Sequence, residues 1–135
     1  MKRQTIAVIA PGDMGSGVGQ ALSRGGHDVV TSLTGRSVES RTRAERHGFR
    51  DLVDLDIVVR EASLILSILP PAAAVALATD VSAAMERSGV RPVYMDCNAI
   101  SPDNCRRIAK IMEAAGAAYI DCGIIGLAPG KGPQP

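Results

Sequence analysis

The chain opens on a pattern with few structural solutions. An aliphatic run, a glycine-rich turn, a helical stretch and a second aliphatic run all fall within "IAVIAPGDMGSGVGQALSRGGHDVV", residues 6–30. Beyond it, short aliphatic runs keep alternating with longer segments of helical spacing, the signature of parallel strands joined by crossover helices. Strands are expected at Thr5–Ala10, His27–Leu33, Ser63–Leu69, Pro92–Met95 and Ala118–Cys122. Helices are expected at Met14–Arg24, which Gly25 and Gly26 end, at Val38–His47 behind Ser37 as N-cap, and over the short stretch Asp54–Glu61. A further helix starts at Pro70-Pro71, carries Ala74, Val75, Ala78, Val81 and Met85 at helical spacing, and ends before Gly89. The last starts at Ser101-Pro102-Asp103, buries Ile108, Ile111, Met112 and Ala115, and stops at Gly116.

The predicted fold class is α/β: a Rossmann-type doubly wound, mostly parallel sheet with helices on both faces. At 135 residues this is one domain, expected over residues 1–126, with 127–135 a linker stub or tail of turn residues. Phe49, Tyr94 and Tyr119 are the only aromatic residues, so the core must be aliphatic, and a base-stacking platform for nucleic acid is not expected. A net charge of +1 draws the chain to neither nucleic acid nor an acidic membrane. Cys97, Cys105 and Cys122 form no C-x-x-C pair, and His27 and His47 are not spaced with them as metal ligands, so no metal is expected. Scattered thiols of this kind suit a reducing cytoplasm. The apolar run after Lys2 and Arg3 is too short for a signal peptide, and no stretch reaches the ~20 apolar residues of a membrane span.

The turn "APGDMG", residues 10–15, carries the chemistry. In a dinucleotide fold the first glycine permits the tight turn, the second lets a pyrophosphate approach the backbone, and the third lets helix and sheet pack closely. Gly12 and Gly15 fill the second and third places, while Ala10 fills the first, which is possible where φ stays negative. Asp13, Met14 and Gly15 open a helix whose free N–H groups favour phosphate. A plain glycine-rich β–α turn would look similar when taken alone. Its place after the first strand and before a second favours the nucleotide site. Gly17 and Gly19 each cost roughly 1 kcal/mol in a helix relative to Ala, which points to close packing on the sheet or on the cofactor.

An NAD site places an acidic residue at the end of the second strand, on the ribose 2′-OH. None occurs there. Instead "TSLTGRS", residues 31–37, offers Ser32, Thr34, Arg36 and Ser37 around a 2′-phosphate, with Arg36 supplying a fork of donors. NADP is the expected cofactor. Arg41, Arg43, Arg46 and Arg50 read instead as a solvated helix face.

Four ordered segments carry a family resemblance: "VIAPGDMG" with "ALSRGGHDV", then "SILPP" at 67–71, "DCNAISP" at 96–102 and "DCGIIG" at 121–126. With them the chain resembles the N-terminal domain of the 6-phosphogluconate and 3-hydroxyisobutyrate dehydrogenases, the β-hydroxyacid dehydrogenase family, and looks closest to the branch with "NAISP" and "GIIG". The resemblance implies hydride transfer between NADP and a small hydroxy acid, with Leu69 and Pro70 beside the cofactor at a strand end. Proline at a helix start would explain Pro70 and Pro71 nearly as well. Asn98 would bond cofactor ribose or substrate hydroxyls; the alternative is that it only shapes the turn before Ser101. Gly123 and Gly126 match the family's substrate-carboxylate region, but Ile125 stands where a serine is usual, which leaves the substrate open.

Asp96 reads as a strand end, Ser101 as a helix cap, and Cys97 and Cys122 as small buried fillers. The resemblance also implies a homodimer for the full-length protein and a lysine base from a helical second domain, expected beyond residue 135. Lys2, Lys110 and Lys131 do not match that lysine. Two classes therefore stand side by side: the cofactor half of a dehydrogenase, and a stand-alone NADP(H)-binding module without catalysis. A weaker third is a doubly wound site for a flavin or a nucleoside-containing methyl donor.

Overall fold

The computed structural model describes residues 3–9, 13–32, 38–46 and 48–122, with backbone alone at 13–16, 39–40 and 43. Strand β1 (Thr5–Ile9) leads to helix α1 (Asp13–Arg24), β2 (Asp28–Thr31), α2 (Val38–Arg46) and β3 (Arg50–Asp51). Then follow α3 (Leu55–Glu61), β4 (Leu64–Ser67), α4 (Pro71–Ser88), β5 (Val93–Asp96), α5 (Pro102–Ala114) and β6 (Tyr119–Asp121). The six strands form one sheet in the order β3-β2-β1-β4-β5-β6, and every pairing is parallel. The expected doubly wound α/β fold is the fold observed, with a sheet that is wholly rather than mostly parallel.

Alternation along β1 shows why its sequence is apolar throughout. Ala7 and Ile9 face one cluster with residues of α3, α4 and α5, while Ile6 and Val8 face a second with Val18 and Leu22 of α1 and Ala44 of α2. Covered on both faces, the strand has no polar side to show. The first cluster is mostly aliphatic, with Ile65, Val81, Met85, Ile108 and Met112 fully buried, but Tyr94 is fully buried among them. Tyr94 and Tyr119 are the aromatic pair in it, stacked with ring centroids 6.4 Å apart.

Local signals set the helix ends. Asp54 caps α3, its Oδ1 accepting from the Ile57 amide at 3.0 Å, and the Ser101 hydroxyl caps α5 by accepting from the Asn104 amide at 3.2 Å. Pro71 opens α4 and Gly89 closes it at φ +75°, a left-handed turn that glycine adopts without strain. Gly19 answers the question its helix position raised: a Cβ there would collide with the Phe49 ring. The glycine is needed for helix-to-loop packing rather than for a ligand.

Strand β3 is absent from the sequence expectation. Arg50 and Asp51 are polar and exposed, so they carry no hydrophobic signal. They pair with Val30 and Thr31, and Arg50 is held by Asp28 at 2.7 Å. β4 and β6 begin and end one or two residues inside the expected ranges, β2 starts one residue later and its pairing stops at Thr31, and β5 is shifted by one residue to Val93–Asp96. Among the described residues, no helix is long and apolar enough to cross a membrane.

Candidate functional site

The strand order reverses between β1 and β4: the chain leaves β1 toward β2 and β3, then returns to pair β4 on the other side. Helices diverge at such a switch point and leave a crevice outside the carboxyl ends of the strands. The first turn of α1, formed by Asp13, Met14 and Gly15, begins at this edge and brings the positive end of a helix dipole to it. A cavity of about 620 Å³ opens at the same strand ends on the α3–α4 side, walled by Ile9 at the end of β1, Ser32 after β2 and Leu69 after β4. Its other side is formed by Asp56 of α3 with Asp80 and Arg87 of α4.

Ser32, Leu69, Pro70 and Asn98 are thus brought to one edge of the sheet, as strand-end residues of a parallel sheet must be. Gly12, Thr34, Arg36, Ser37, Gly123 and Gly126 lie outside the described residues, as do Ala10, His47, Lys2 and Lys131. Pro70 is exposed and stands at the N-cap of α4.

Asn98 has a definite job. Its side chain is buried, with Oδ1 accepting from the Leu69 amide at 2.8 Å and Nδ2 donating to Ser67 Oγ at 2.9 Å. Its own amide donates to Asp96 Oδ1 at 2.8 Å. The end of β5 is therefore cross-tied to the turn after β4, and Leu69 is held in the cleft wall by it. The turn that Asn98 orders is the one leading to α4, not only the one before Ser101.

Asp96 ends β5, as expected, but it is wholly buried and its Oδ2 has no hydrogen-bond partner. Burial pushes its carboxyl above the usual carboxylate range, against the lowering effect of the Asn98 amide, and the nearby Asp121 adds to the rise. Tyr94, on the same face, is raised by burial as well.

The β2 side is built differently. Ser32 Oγ donates to the Val53 carbonyl at 2.8 Å, so its one proton is committed to the protein. Val53 sits at φ +70°, a costly conformation for a β-branched residue. The Asp54 amide donates to the Leu52 carbonyl across it at 2.8 Å, closing a three-residue γ-turn. The Val53 amide donates to Asp51 Oδ1 at 2.9 Å.

Arg87 grips Asp56 through Nε, at 3.2 Å to each carboxylate oxygen, and through a terminal nitrogen. That pairing lowers the Asp56 pKa and raises that of Arg87. The sequence reading missed Asp56, Asp80 and Arg87. Asp80, Ala83 and Arg87 share one face of α4 by helical spacing, a signal that becomes useful only once α4 is known to flank the cleft. No group of three potential metal ligands occurs among the described residues.

Residues 5–132 match the family model described as the NAD binding domain of 6-phosphogluconate dehydrogenase. A Streptococcus pneumoniae glycerol-3-phosphate dehydrogenase [NAD(P)+] is 26% identical over 125 residues, covering 84% of this chain and 36% of that protein. Mycobacterium tuberculosis 3-hydroxyisobutyrate dehydrogenase superposes with a TM-score of 0.77 at 26% identity, over 93% of this chain and 42% of that one. A conserved protein of unknown function, described as structurally similar to 3-hydroxyacid dehydrogenases, gives 0.78 at 28% identity, over 90% of this chain and 44% of that one. The chain therefore spans less than half the length of these relatives. The Rossmann-like sheet, the crevice at its switch point and the match across residues 5–132 agree, and the chain belongs to the family of NAD-binding domains of 6-phosphogluconate dehydrogenase.

Proposed function

We propose that this chain is the cofactor half of an NADP-preferring oxidoreductase acting on a small hydroxy acid. One observation carries the reading: the crevice between β1 and β4 is walled at its β2 end by Ser32, the start of a segment, "SLTGRS", with no carboxylate to hold a ribose 2′-OH. A dinucleotide is supported by two features at the carboxyl ends of β1 and β4: the α1 N-terminus that follows β1, and a cleft of about 620 Å³ on the α3–α4 side. Gly12, Asp13, Met14 and Gly15 would hold its pyrophosphate, Leu69 and Pro70 would wall its path, and Arg36 with Thr34 and Ser37 would meet a 2′-phosphate. Ser32 would join them only by giving up its bond to Val53. Asn98 would reach cofactor or substrate with whatever bonding capacity its ties to Leu69 and Ser67 leave.

A bound nicotinamide supplies hydride transfer. This chain's residues would bind and orient it, with Gly123 and Gly126 toward the substrate. The family's lysine base is expected beyond residue 135, so residues 1–135 alone should bind cofactor without turnover, and dimerisation is expected of the longer protein. The substrate class rests on the resemblance, since the pneumococcal relative is a glycerol-3-phosphate dehydrogenase.

Calorimetric titration with NADPH and NADH tests the reading. NADPH should bind more tightly, and Arg36→Ala should weaken NADPH about ten-fold more than NADH. Equal affinities, or a preference for NADH, overturn the NADP assignment. Robust turnover of a β-hydroxy acid by residues 1–135 would refute the division of labour, and the same lack of turnover in a longer form would favour a non-catalytic NADP(H)-binding module.

A further inference from the structure

The three cysteines are not used by the function proposed above, and two of them meet. Cys97 and Cys122 directly follow β5 and β6, whose last residues, Asp96 and Asp121, are paired in register. The Cys122 amide donates to the Asp96 carbonyl at 2.8 Å, closing the last pair of the ladder, so Cys97 and Cys122 leave neighbouring strands side by side. Neighbouring strands lie about 4.8 Å apart, within the Cα separation of about 4.4–6.8 Å that a disulfide spans. Both thiols are on the α1–α2 face, Cys97 inside that cluster and Cys122 packed against it. Their side chains interact directly, and burial together with this neighbour pushes the Cys97 thiol up to about 12. Cys105 is elsewhere, its Sγ 3.4 Å from the Tyr119 hydroxyl, and no disulfide links any of the three.

We propose that Cys97 and Cys122 are a peroxide-oxidisable dithiol that closes to a disulfide across the carboxyl ends of β5 and β6. Cys122 is half-buried and Cys97 buried, so peroxide meets Cys122 first. The Cys122 sulfur attacks one peroxide oxygen, the O–O bond breaks, and a sulfenic acid and one water form. The Cys97 sulfur then attacks the Cys122 sulfur and loses its proton, and the S–O bond breaks to release a second water. Two thiols give up two electrons, which reduce one peroxide to two waters.

Closure has a route to the cleft. The Cys97 amide donates to the Ser67 carbonyl at 3.0 Å, and the next residue is Asn98, whose side chain holds Ser67 and Leu69. Drawing Cys97 toward Cys122 pulls on that tie. Oxidation should therefore lower dinucleotide affinity, a consequence that rests on the dinucleotide reading, whereas the disulfide itself does not.

The test is hydrogen peroxide treatment of the chain, alkylation of remaining thiols, and peptide mapping without reductant. The expected product is an intramolecular Cys97–Cys122 linkage, reversed by dithiothreitol, with Cys105 alkylated. Cys105→Ser should leave the linkage intact, Cys122→Ser should abolish it, and Cys97→Ser should let Cys122 run on to the sulfinic acid. Alkylation of both Cys97 and Cys122 after peroxide, or a linkage through Cys105 or between chains, overturns the proposal. Oxidised protein should bind NADPH about ten-fold more weakly, with recovery on reduction. A disulfide with unchanged affinity refutes the coupling alone. Absence of binding in both forms refutes the dinucleotide reading, while the peptide map still decides the dithiol.

Discussion

In the β4–β6 half of the sheet, the strand ends are joined by side chains that water does not reach: Ser67, Asp96 and Asn98 are all buried. In the β1–β3 half the corresponding ties are at the surface. Asp28 and Arg50 pair in the open, Ser32 and Asp51 clip the turn at Val53, and Val53 itself is 60% exposed at a strained φ. Buried ties leave few alternatives, since each broken bond strands a desolvated group. Surface ties can be exchanged for water at little cost. The β4–β6 half is thereby suited to setting the position of a bound ligand. The β1–β3 half is suited to tuning which ligand is preferred.

Substitutions in the two halves should separate accordingly. Asn98→Leu keeps the branched shape but strips partners from Ser67 and Leu69; it should cost about 3 kcal/mol in denaturant unfolding. A cost as small as that of a surface pair would remove the distinction between the halves.

Gly19→Ala bears on a place where the β1–β3 half is tightly packed. Helix propensity alone predicts a gain of about 1 kcal/mol, whereas the collision with Phe49 predicts a loss of about 2 kcal/mol. The same measurement on Gly19→Ala with Phe49→Leu should recover part of that loss; no recovery would show that Phe49 is not the obstacle. Val53→Gly should stabilise the chain by about 1 kcal/mol, because relief of strain outweighs the entropy of glycine. A loss there would mean that the turn is not strained.

The pH dependence offers the finest comparison, because the two halves carry carboxyls shifted in opposite directions. The Arg50 hydrogen bond holds Asp28 below its ordinary value of 3.8, so its stabilisation is present above that value and is lost as pH falls through the folded one. Burial holds Asp96 above 3.8. The folded state then binds that proton more tightly than the unfolded state, so stability falls as pH rises from 3.8 through the folded value. Unfolding midpoints against pH should show Asp28→Asn flattening the acid side and Asp96→Asn flattening the fall above it. Asp28→Asn should cost under about 1 kcal/mol at neutral pH, as the pair is exposed to water. Parallel profiles for the two variants would contradict the opposite shifts.

Strands β1, β2, β4 and β5 were readable because each is a largely apolar run covered on both faces, and β6 from the short run Ala118–Cys122 although its Ile120 and Asp121 are exposed. The helix start at Pro71, the Ser101 cap and the stop at Gly89 were readable because such signals involve only the next few residues. β3 was not, since Arg50 and Asp51 form a strand only by hydrogen-bonding Val30 and Thr31. The candidate site divides the same way. Leu69 and Asn98 could be placed at strand ends from the sequence. That the two, 29 positions apart in the chain, hydrogen-bond each other could not. Nor could the grip of Arg87 on Asp56, which joins two helices through the fold.

The order of strands and helices, the glycine turn at the head of α1 and the family membership are therefore properties of the sequence itself. They depend on periodicity and on backbone rules that act over a few residues. Only the tertiary structure decided that β3 exists, that Gly19 answers to Phe49, that Asn98 is a tie between strands and that Cys97 faces Cys122. Each of these depends on which strands become neighbours, and the parallel register that sets those neighbours forms only when the crossovers close.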